Sequence, residues 1–129
     1  MLSYLFIGAN DVERSAAFYK AILTPLGYRH DREEHYCFYL PDCADKSNGP
    51  GSVHISQPFN GEPATPGNGM MPAFRTDSRH KVDQVHKAGL DHGGSDEGAP
   101  GTREAYTPDF YVAYLRDPEG NKLAVFYNG

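Results

Sequence analysis

The chain has 129 residues and a formal net charge of −5; 39% of its residues are hydrophobic, with 9 Tyr, 7 Phe and no Trp. This length predicts a single domain, in which aromatic side chains fill much of the core or line a binding site. The negative charge disfavours nucleic acids and anionic membranes as partners, because both bind basic surfaces. No apolar run approaches the roughly 18 residues of a membrane span. The first six residues lack the pattern of a signal peptide, so we expect a cytoplasmic protein.

Two segments of the chain follow the same pattern at a constant offset. Residues 7–23 align without a gap with residues 74–90, and each segment consists of a short apolar strand, a polar cap and an amphipathic helix. Repetition at a fixed offset indicates repeated structural units. The sequence therefore predicts two modules of the same architecture.

The first helix has clear end signals. Asn10 is its predicted N-cap, and Glu13 completes a capping box. Four apolar residues at helical spacing then form one face: Val12, Ala16, Tyr19 and Leu23. Pro25 and Gly27 end the helix.

In the second segment, Asp77 or Ser78 is the predicted N-cap. The apolar stripe of this helix is weaker and consists of Val82, Val85 and Gly89.

Three strands are predicted after each helix, at residues 27–31, 35–40 and 52–57 in the first half and at about residues 91–94, 110–116 and 122–127 in the second. Each half is then βαβββ. The stretch 58–69 is rich in Pro and Gly and is predicted to be the connector, so that module one spans residues 1–57 and module two residues 70–129. Residues 95–101 are also rich in turn formers and are predicted to be a loop.

Three motifs together resemble a known family. The start Asn10-Asp-Val-Glu-Arg-Ser-Ala-Ala-Phe-Tyr19, the loop Gly67-Asn-Gly69 and the ending Asp117-Pro-Glu-Gly-Asn-Lys122 are similar to the vicinal oxygen chelate superfamily, which includes glyoxalase I, bleomycin-binding proteins and extradiol dioxygenases. The resemblance implies an α+β fold in which two βαβββ modules pair into a cup-shaped mixed sheet with helices outside. It also implies a small-molecule ligand and a homodimer.

Strand alternation, combined with this implied fold, assigns side chains to the cup. Leu5, Ile7, Val53 and Ile55 are expected to pack against the helices. The side chains expected to face the cup are Tyr4, Phe6, Gly8, His54, Ser56, Met71, Ala73, Arg75, Tyr114, Lys122, Ala124 and Phe126.

The resemblance also locates the positions at which metal-dependent relatives carry their ligands. These positions correspond here to Tyr4, His54, Met71 and Ala124. A catalytic divalent ion generally needs about three N, O or S donors, and only His54 is a good one. We therefore expect no metal and no other cofactor.

The cup lining suggests roles for a few residues. His54 is the natural general base if catalysis occurs. Arg103 either binds a substrate carboxylate or phosphate or forms a surface ion pair. Tyr106 either hydrogen-bonds a ligand or packs the loop 98–106, which is expected to close over the cup. The five other histidines are expected to be solvated surface groups: His30, His35, His80, His86 and His92.

Three functions remain open from the sequence. The first is a metal-free protein that binds and sequesters a small organic molecule. The second is a lyase, isomerase or dioxygenase-type enzyme of the same superfamily, with a metal-dependent form the least favoured. The third is a structural or regulatory module whose dimer surface matters more than its cup.

Overall fold

The computed structural model describes residues 1–103 and 105–129, which form two four-stranded mixed sheets and two α-helices. The elements in chain order are β1 (Tyr4–Gly8), α1 (Val12–Leu23), β2 (Arg29–Arg32), β3 (Tyr36–Tyr39), β4 (Ser52–Ser56), β5 (Ala73–Arg75), α2 (Arg79–Asp91), β6 (Ser95–Thr102), β7 (Phe110–Arg116) and β8 (Lys122–Asn128). Each half has the predicted order βαβββ. The predicted α+β fold class is confirmed.

The two sheets share one topology. The strand orders are β1-β4-β3-β2 and β5-β8-β7-β6. In each sheet the first strand pairs parallel with the last strand of its module, and the remaining pairs are antiparallel. The first strand of each module is therefore an edge strand, and so is the strand that follows its helix.

Helix α1 begins one residue later than the capping prediction. Asp11, not Asn10, is the N-cap, and its carboxylate accepts a hydrogen bond from the Arg14 amide at 3.1 Å. The predicted role of Asn10 is wrong because its side chain bonds elsewhere. Its Oδ1 accepts from the Ala64 amide at 2.7 Å, and its Nδ2 donates to Glu119 Oε1 at 2.9 Å.

Helix α2 is capped by Ser78, one of the two predicted residues, whose hydroxyl accepts from the Lys81 amide at 3.1 Å. The strand predicted at residues 91–94 is wrong, because Asp91 ends the helix and Gly93 turns the chain with φ +92°. The loop predicted at 95–101 is also wrong, because this stretch belongs to β6. Its Gly and Pro residues are tolerated because β6 is an irregular edge strand with two register shifts.

One apolar cluster joins both modules. It contains residues of both helices and of both sheets: Ile7, Ala9, Phe18, Tyr19, Ile22, Leu23, Phe38, Val53, Ile55, Val82, Val85, Ala113, Leu115, Leu123 and Val125. Leu5 and Phe74 pack against its margin. The strand residues predicted to point inward therefore do so, and their neighbours in sequence occupy the opposite face of each sheet.

The turn before β8 ties the second module to α1. Tyr19 donates a hydrogen bond from its buried hydroxyl to Asp117 Oδ2 at 2.7 Å. Asp117 also accepts from the amides of Glu119 and Asn121, each at 2.9 Å. Burial, and then the charge and hydrogen bond of Asp117, raise the pKa of Tyr19 well above its usual value.

In the described part of the chain, no helix has the length and hydropathy needed to cross a bilayer.

Candidate functional site

The face of the first sheet opposite the core carries a pair of histidines. We call this surface the histidine face and define it by Tyr4, Phe6, His35, His54 and Ser56. Phe6 lies beside His54 in the parallel register of β1 and β4. The ring of Tyr4 meets the imidazole of His54 edge-on, with centroids 5.1 Å apart.

The two imidazoles form a directed hydrogen-bond chain. His54 Nε2 lies 2.7 Å from the Ser47 carbonyl oxygen, and His54 Nδ1 lies 2.8 Å from His35 Nε2. A carbonyl only accepts, so His54 Nε2 carries a proton and, in the neutral pair, His35 Nε2–H donates to His54 Nδ1. Both nitrogens of the buried His54 are therefore engaged. Within residues 1–103 and 105–129, the one ring nitrogen of these two histidines without a hydrogen-bond partner is His35 Nδ1.

His35 was expected to be a solvated surface group, and this prediction is wrong. The missed signal was strand alternation, since His35 lies two residues before Cys37, which pairs with His54 in the β3–β4 register. His86 was also misassigned. It is 8% exposed, and its Nε2 lies 2.9 Å from Asp96 Oδ1.

A polar cavity of about 340 Å³ adjoins the histidine pair. Its lining comprises Asp31, Glu33, Glu34, His35, Cys37, Lys46, Ser47 and His54. Lys46 donates to Asp31 at 3.1 Å. Burial, and then the charge of Asp31, raise the pKa of Cys37, so its thiol is protonated at neutral pH and is a poor nucleophile.

The second sheet presents a different surface, which we call the cationic face. It consists of Ala73, Arg75, Arg103, Tyr114, Lys122, Ala124 and Phe126. In the register of the sheet, Ala124 lies between Ala73 and Tyr114, and Arg75 lies beside Phe126. Two small residues therefore lie in one row with Tyr114, and Phe126 and Arg75 form the neighbouring row.

Each cation of this face lies over the ring of Tyr114 or Phe126. The guanidinium of Arg75 is 4.9 Å from the centroid of Phe126. Arg103 and Lys122 lie 5.6 Å and 5.1 Å from the centroid of Tyr114. Burial raises the pKa of Tyr114, and Tyr106 adds to this while Arg103 opposes it. The phenol is therefore a neutral donor at physiological pH.

The loop residues singled out from the sequence have defined contacts. Arg103 donates to the carbonyl oxygens of Ala99 at 2.8 Å and Thr102 at 3.3 Å, and it has no carboxylate partner among residues 1–103 and 105–129. Tyr106 is 55% exposed and packs edge-on against Phe110 at 5.3 Å. Within the loop predicted at 98–106, residue 104 lies outside the described residues.

The two faces approach each other at a cavity of about 220 Å³. This cavity lies between β1 and the beginnings of β5 and β8, and Phe6, Met70, Pro72 and Lys122 contribute to its lining. Met71, next in the chain, is 42% exposed. The predicted residues thus form two groups, with Tyr4, Phe6, His54 and Ser56 on one sheet and Ala73, Arg103, Tyr114, Ala124 and Phe126 on the other.

The donor set does not fit a family-type metal ion. Of the four corresponding positions, Ala124 has no donor atom, Met71 offers a soft thioether, and both nitrogens of His54 have partners. In the described parts of the chain, no group of three or more His, Cys, Asp or Glu side chains is arranged to hold a metal.

Comparison with known proteins decides the family. A family model described as the Glyoxalase/Bleomycin resistance protein/Dioxygenase superfamily matches residues 2–125. The chain belongs to this superfamily. A glyoxalase/bleomycin resistance protein from Albidiferax ferrireducens T118 is similar, with 37% identity, a TM-score of 0.85, and coverage of 100% of this chain and 99% of that one.

Other solved structures share the glyoxalase-type fold at lower identity. A glyoxalase/bleomycin resistance protein/dioxygenase family enzyme from Burkholderia phytofirmans PsJN has 19% identity and a TM-score of 0.69, with 98% of each chain covered. A glyoxalase-related enzyme from Fulvimarina pelagi has 17% identity and a TM-score of 0.71, with 99% of this chain and 88% of that one covered. The comparison with curated proteins gives no match.

Proposed function

We propose that this superfamily member binds a small organic molecule on its open sheet faces, without a metal ion, and holds it without turnover. The observation that carries the proposal is the composition of those faces. Both carry aromatic and ionisable side chains on the side of the sheet away from the core, where structural packing does not require them. Ligand sites combine apolar and aromatic walls with a few polar groups that orient the ligand.

The metal-free part of the proposal depends on His54. An imidazole with a backbone carbonyl on Nε2 and a second imidazole on Nδ1 must give up one of these bonds before it can bind an ion. The remaining family positions offer at most a phenol and a thioether, neither of which suits a hard or borderline ion at neutral pH.

We also propose a homodimer. Four large apolar side chains beside the open faces are exposed: Tyr4, Phe59, Met71 and Tyr106. Phe59, with 91% exposure, stacks on Phe6 at a centroid distance of 5.0 Å. A second copy that covered these side chains would close the cup and remove apolar surface from water. The cytoplasm is the compartment we propose, since both cysteines are free thiols.

An alternative function is supported by the histidine pair. A lyase or isomerase needs a base with an accessible lone pair. In this arrangement the base would be His35 Nδ1, which has no hydrogen-bond partner among the described residues, and His54 would hold the His35 ring through its bond to Nε2. If the protein is an enzyme of this kind, His35→Ala and His54→Ala should both abolish product formation. If it is a binding protein, neither the wild type nor either variant forms product.

The test of the binding proposal uses the purified full chain. Metal analysis should give much less than one equivalent of Mn, Fe, Ni or Zn, and native mass spectrometry should give a dimer with a retained small molecule. A thermal-shift screen with a small-molecule library should find ligands that stabilise the chain. Stoichiometric metal bound with sub-micromolar affinity would overturn the metal-free proposal.

A matched pair of variants locates the site. Ala73 is exposed on the cationic face, and Ala17 is exposed on α1. Ala73→Trp should cover the exposed β5 edge of the cationic face and abolish the ligand-induced thermal shift. Ala17→Trp places the same bulk on a helix surface and should leave the shift unchanged. Equal shifts in both variants would show that the ligand does not occupy the cationic face.

A further inference from the structure

The chain between β4 and β5 runs past β1 with few contacts. Of residues 59–71, Ala64 alone is half-buried, and the others are exposed. Gly61 and Gly69 have φ values of +75° and +102°, and apart from their chain neighbours no described atom lies within 4 Å of either Cβ position. Both glycines therefore have room to change conformation, and we call residues 61–69 the strap.

One side chain attaches the strap to the rest of the domain. Asn10 Oδ1 accepts a hydrogen bond from the Ala64 amide at 2.7 Å, and Asn10 Nδ2 donates to the Ala64 carbonyl oxygen at 3.1 Å. Among residues 1–103 and 105–129, no other hydrogen bond joins the strap to a residue outside 58–70. Asn10 is exposed, so water can replace both bonds, and the strap can open while the core stays folded.

Two cavities lie between the strap and β1. Their volumes are about 220 Å³ and about 540 Å³, and Phe6, Gly8 and Thr65 line both. Gly8 permits the close approach of the strap, since a Cβ at this position would lie 3.2 Å from Pro58 and 3.5 Å from Ala64. The two cavities therefore adjoin, and the strap forms a wall of each.

The smaller cavity is lined mainly by apolar and aromatic groups. Asn121 and Lys122 add two polar side chains, and none of the described lining residues is acidic. Asn121 Nδ2 donates to Asp117 at 2.9 Å, while its Oδ1 has no hydrogen-bond partner in the described chain and is available as an acceptor. Such a lining suits an aromatic ring with one hydroxyl group. The apolar lining consists of Leu5, Phe6, Ile7, Tyr19, Met70 and Pro72.

From these features we propose that the smaller cavity binds a small aromatic molecule with one hydroxyl group, such as a phenol, which enters when the strap opens at Asn10. The ring lies against Phe6 and Met70, and the hydroxyl bonds to Asn121 or Lys122. This inference rests on the proposed binding function and adds the chemical class of the ligand and its route of entry. Asn10 is a positioning residue, because it contacts the strap and does not line this cavity.

The first test follows hydrogen exchange in the full chain without a ligand. The Ala64 amide should exchange through local opening of the strap, so sub-denaturing urea should change its rate by less than about twofold. The amide of Ile55, buried in the central strand β4, should exchange faster as urea is added, because it is exposed only by global unfolding. If the Ala64 amide responds to urea as the Ile55 amide does, the strap does not open on its own and the inference is overturned.

The second test measures entry and exit of 2-naphthol by stopped-flow fluorescence. Asn10→Ala removes both hydrogen bonds to Ala64 and leaves Asp11, the N-cap of α1, in place. Both rate constants should rise about tenfold while Kd changes by less than about threefold, because entry and exit both require the open strap.

The matched control is Asn48→Ala, since Asn48 also makes an exposed hydrogen bond, to Asp45, within a different loop. This variant should bind and release 2-naphthol at the rates of the wild type. Unchanged rates in Asn10→Ala, or an equal increase in Asn48→Ala, would show that the bonds to Ala64 do not control access, and the inference would be overturned.

A third pair of variants locates the bound molecule. Thr65→Trp should fill the cavity and weaken 2-naphthol binding by about tenfold or more. Asn68→Trp places the same bulk on an exposed strap residue that does not line the smaller cavity, and it should leave the affinity unchanged. Glucose, which lacks an apolar ring, should not bind. Wild-type affinity in Thr65→Trp would show that 2-naphthol lies elsewhere and would overturn the inference.

The remaining outcomes separate this inference from the binding function itself. If a library ligand stabilises the chain but 2-naphthol does not bind, the binding function stands and the inference about the strap cavity is overturned. If neither 2-naphthol nor any library ligand binds, both fail.

Discussion

Removing one hydroxyl group from Tyr19 should destabilise the protein measurably. Tyr19 is 1% exposed and Asp117 is 3% exposed, so neither group has ready access to water. In Tyr19→Phe the ring remains and only the hydrogen bond to the carboxylate is lost. Asp117 keeps its bonds to the amides of Glu119 and Asn121, so the turn before β8 is expected to stay folded.

The size of the effect follows from the charge of the acceptor. A hydrogen bond to a charged group contributes about 1.5–3 kcal/mol. Asp117 Oδ2 keeps a second donor, the side-chain amide of Asn121 at 2.9 Å, so the variant loses one bond and leaves no unpaired acceptor. For a domain of this length, each kcal/mol lowers Tm by about 3–5 °C. We therefore expect Tyr19→Phe to lower the free energy of unfolding by about 2 kcal/mol and Tm by about 6–10 °C.

The assay is urea and thermal unfolding of the wild type, Tyr19→Phe and a matched control. Tyr111 also donates to an aspartate, Asp83, at 2.6 Å, but this pair is exposed. Tyr111→Phe removes the same kind of bond in water and should change stability by less than about 0.5 kcal/mol. If the two variants are equally stable, burial does not determine the strength of these bonds, and the reasoning is refuted.

The stability difference between the wild type and Tyr19→Phe should also depend on pH. The pKa of Tyr19 is raised in the folded chain, first by burial and then by Asp117. The contribution of Tyr19 to the free energy of unfolding is therefore complete below the ordinary tyrosine pKa of about 10. It is lost as the pH rises above that value, because the unfolded chain releases the proton first. The stability difference between wild type and Tyr19→Phe should narrow above about pH 10.

Two further changes test packing and electrostatics. In Gly89→Ala the new Cβ would lie 2.6 Å from Leu115 Cδ1. We expect the free energy of unfolding, measured in urea, to fall by about 1–2 kcal/mol, although Ala has the better helix propensity. The control is Gly67→Ala, whose nearest contact is at 3.6 Å and which should be close to neutral. The pKa of Asp96 is lowered first by the hydrogen bond from His86 and then by the hydrogen bond from the Gly98 amide. The stabilisation that the Asp96 carboxylate provides is therefore present above about pH 4 and is lost as the pH falls through the lowered pKa. Urea midpoints of wild type and Asp96→Asn should therefore differ at pH 6 and converge in acid, and a constant difference would contradict this assignment.

The sequence was sufficient for the core because strand alternation and helix spacing are local properties. Leu5 and Ile7 alternate with Tyr4 and Phe6, and this order, combined with the fold implied by the resemblance, identifies the side chains that reach the apolar cluster. The order βαβββ followed from the same patterns and from the repeat at a constant offset. The end of α1 was also predictable, since Pro25 and Gly27 act on their own neighbours.

The errors arose where a distant partner overrode a local signal. Asn10 is as good an N-cap as Asp11, but Ala64 and Glu119 engage its side chain from elsewhere in the fold. The stretch 95–101 has the composition of a loop, yet its pairing with β7 supplies the hydrogen bonds of a strand. In both cases the partner is distant in sequence, so the residues next to Asn10 or next to the stretch 95–101 do not indicate it.

The two open faces show why the binding chemistry was harder to predict than the fold. The duplicated modules have equivalent strands, and the inward positions of both must be apolar because they share one core. No such requirement applies to the outward positions, so one module carries His35 and His54 while the other carries Arg75 and Lys122. The outward side chains are therefore free to differ between modules, and a test of function must change these positions while the shared core is left intact.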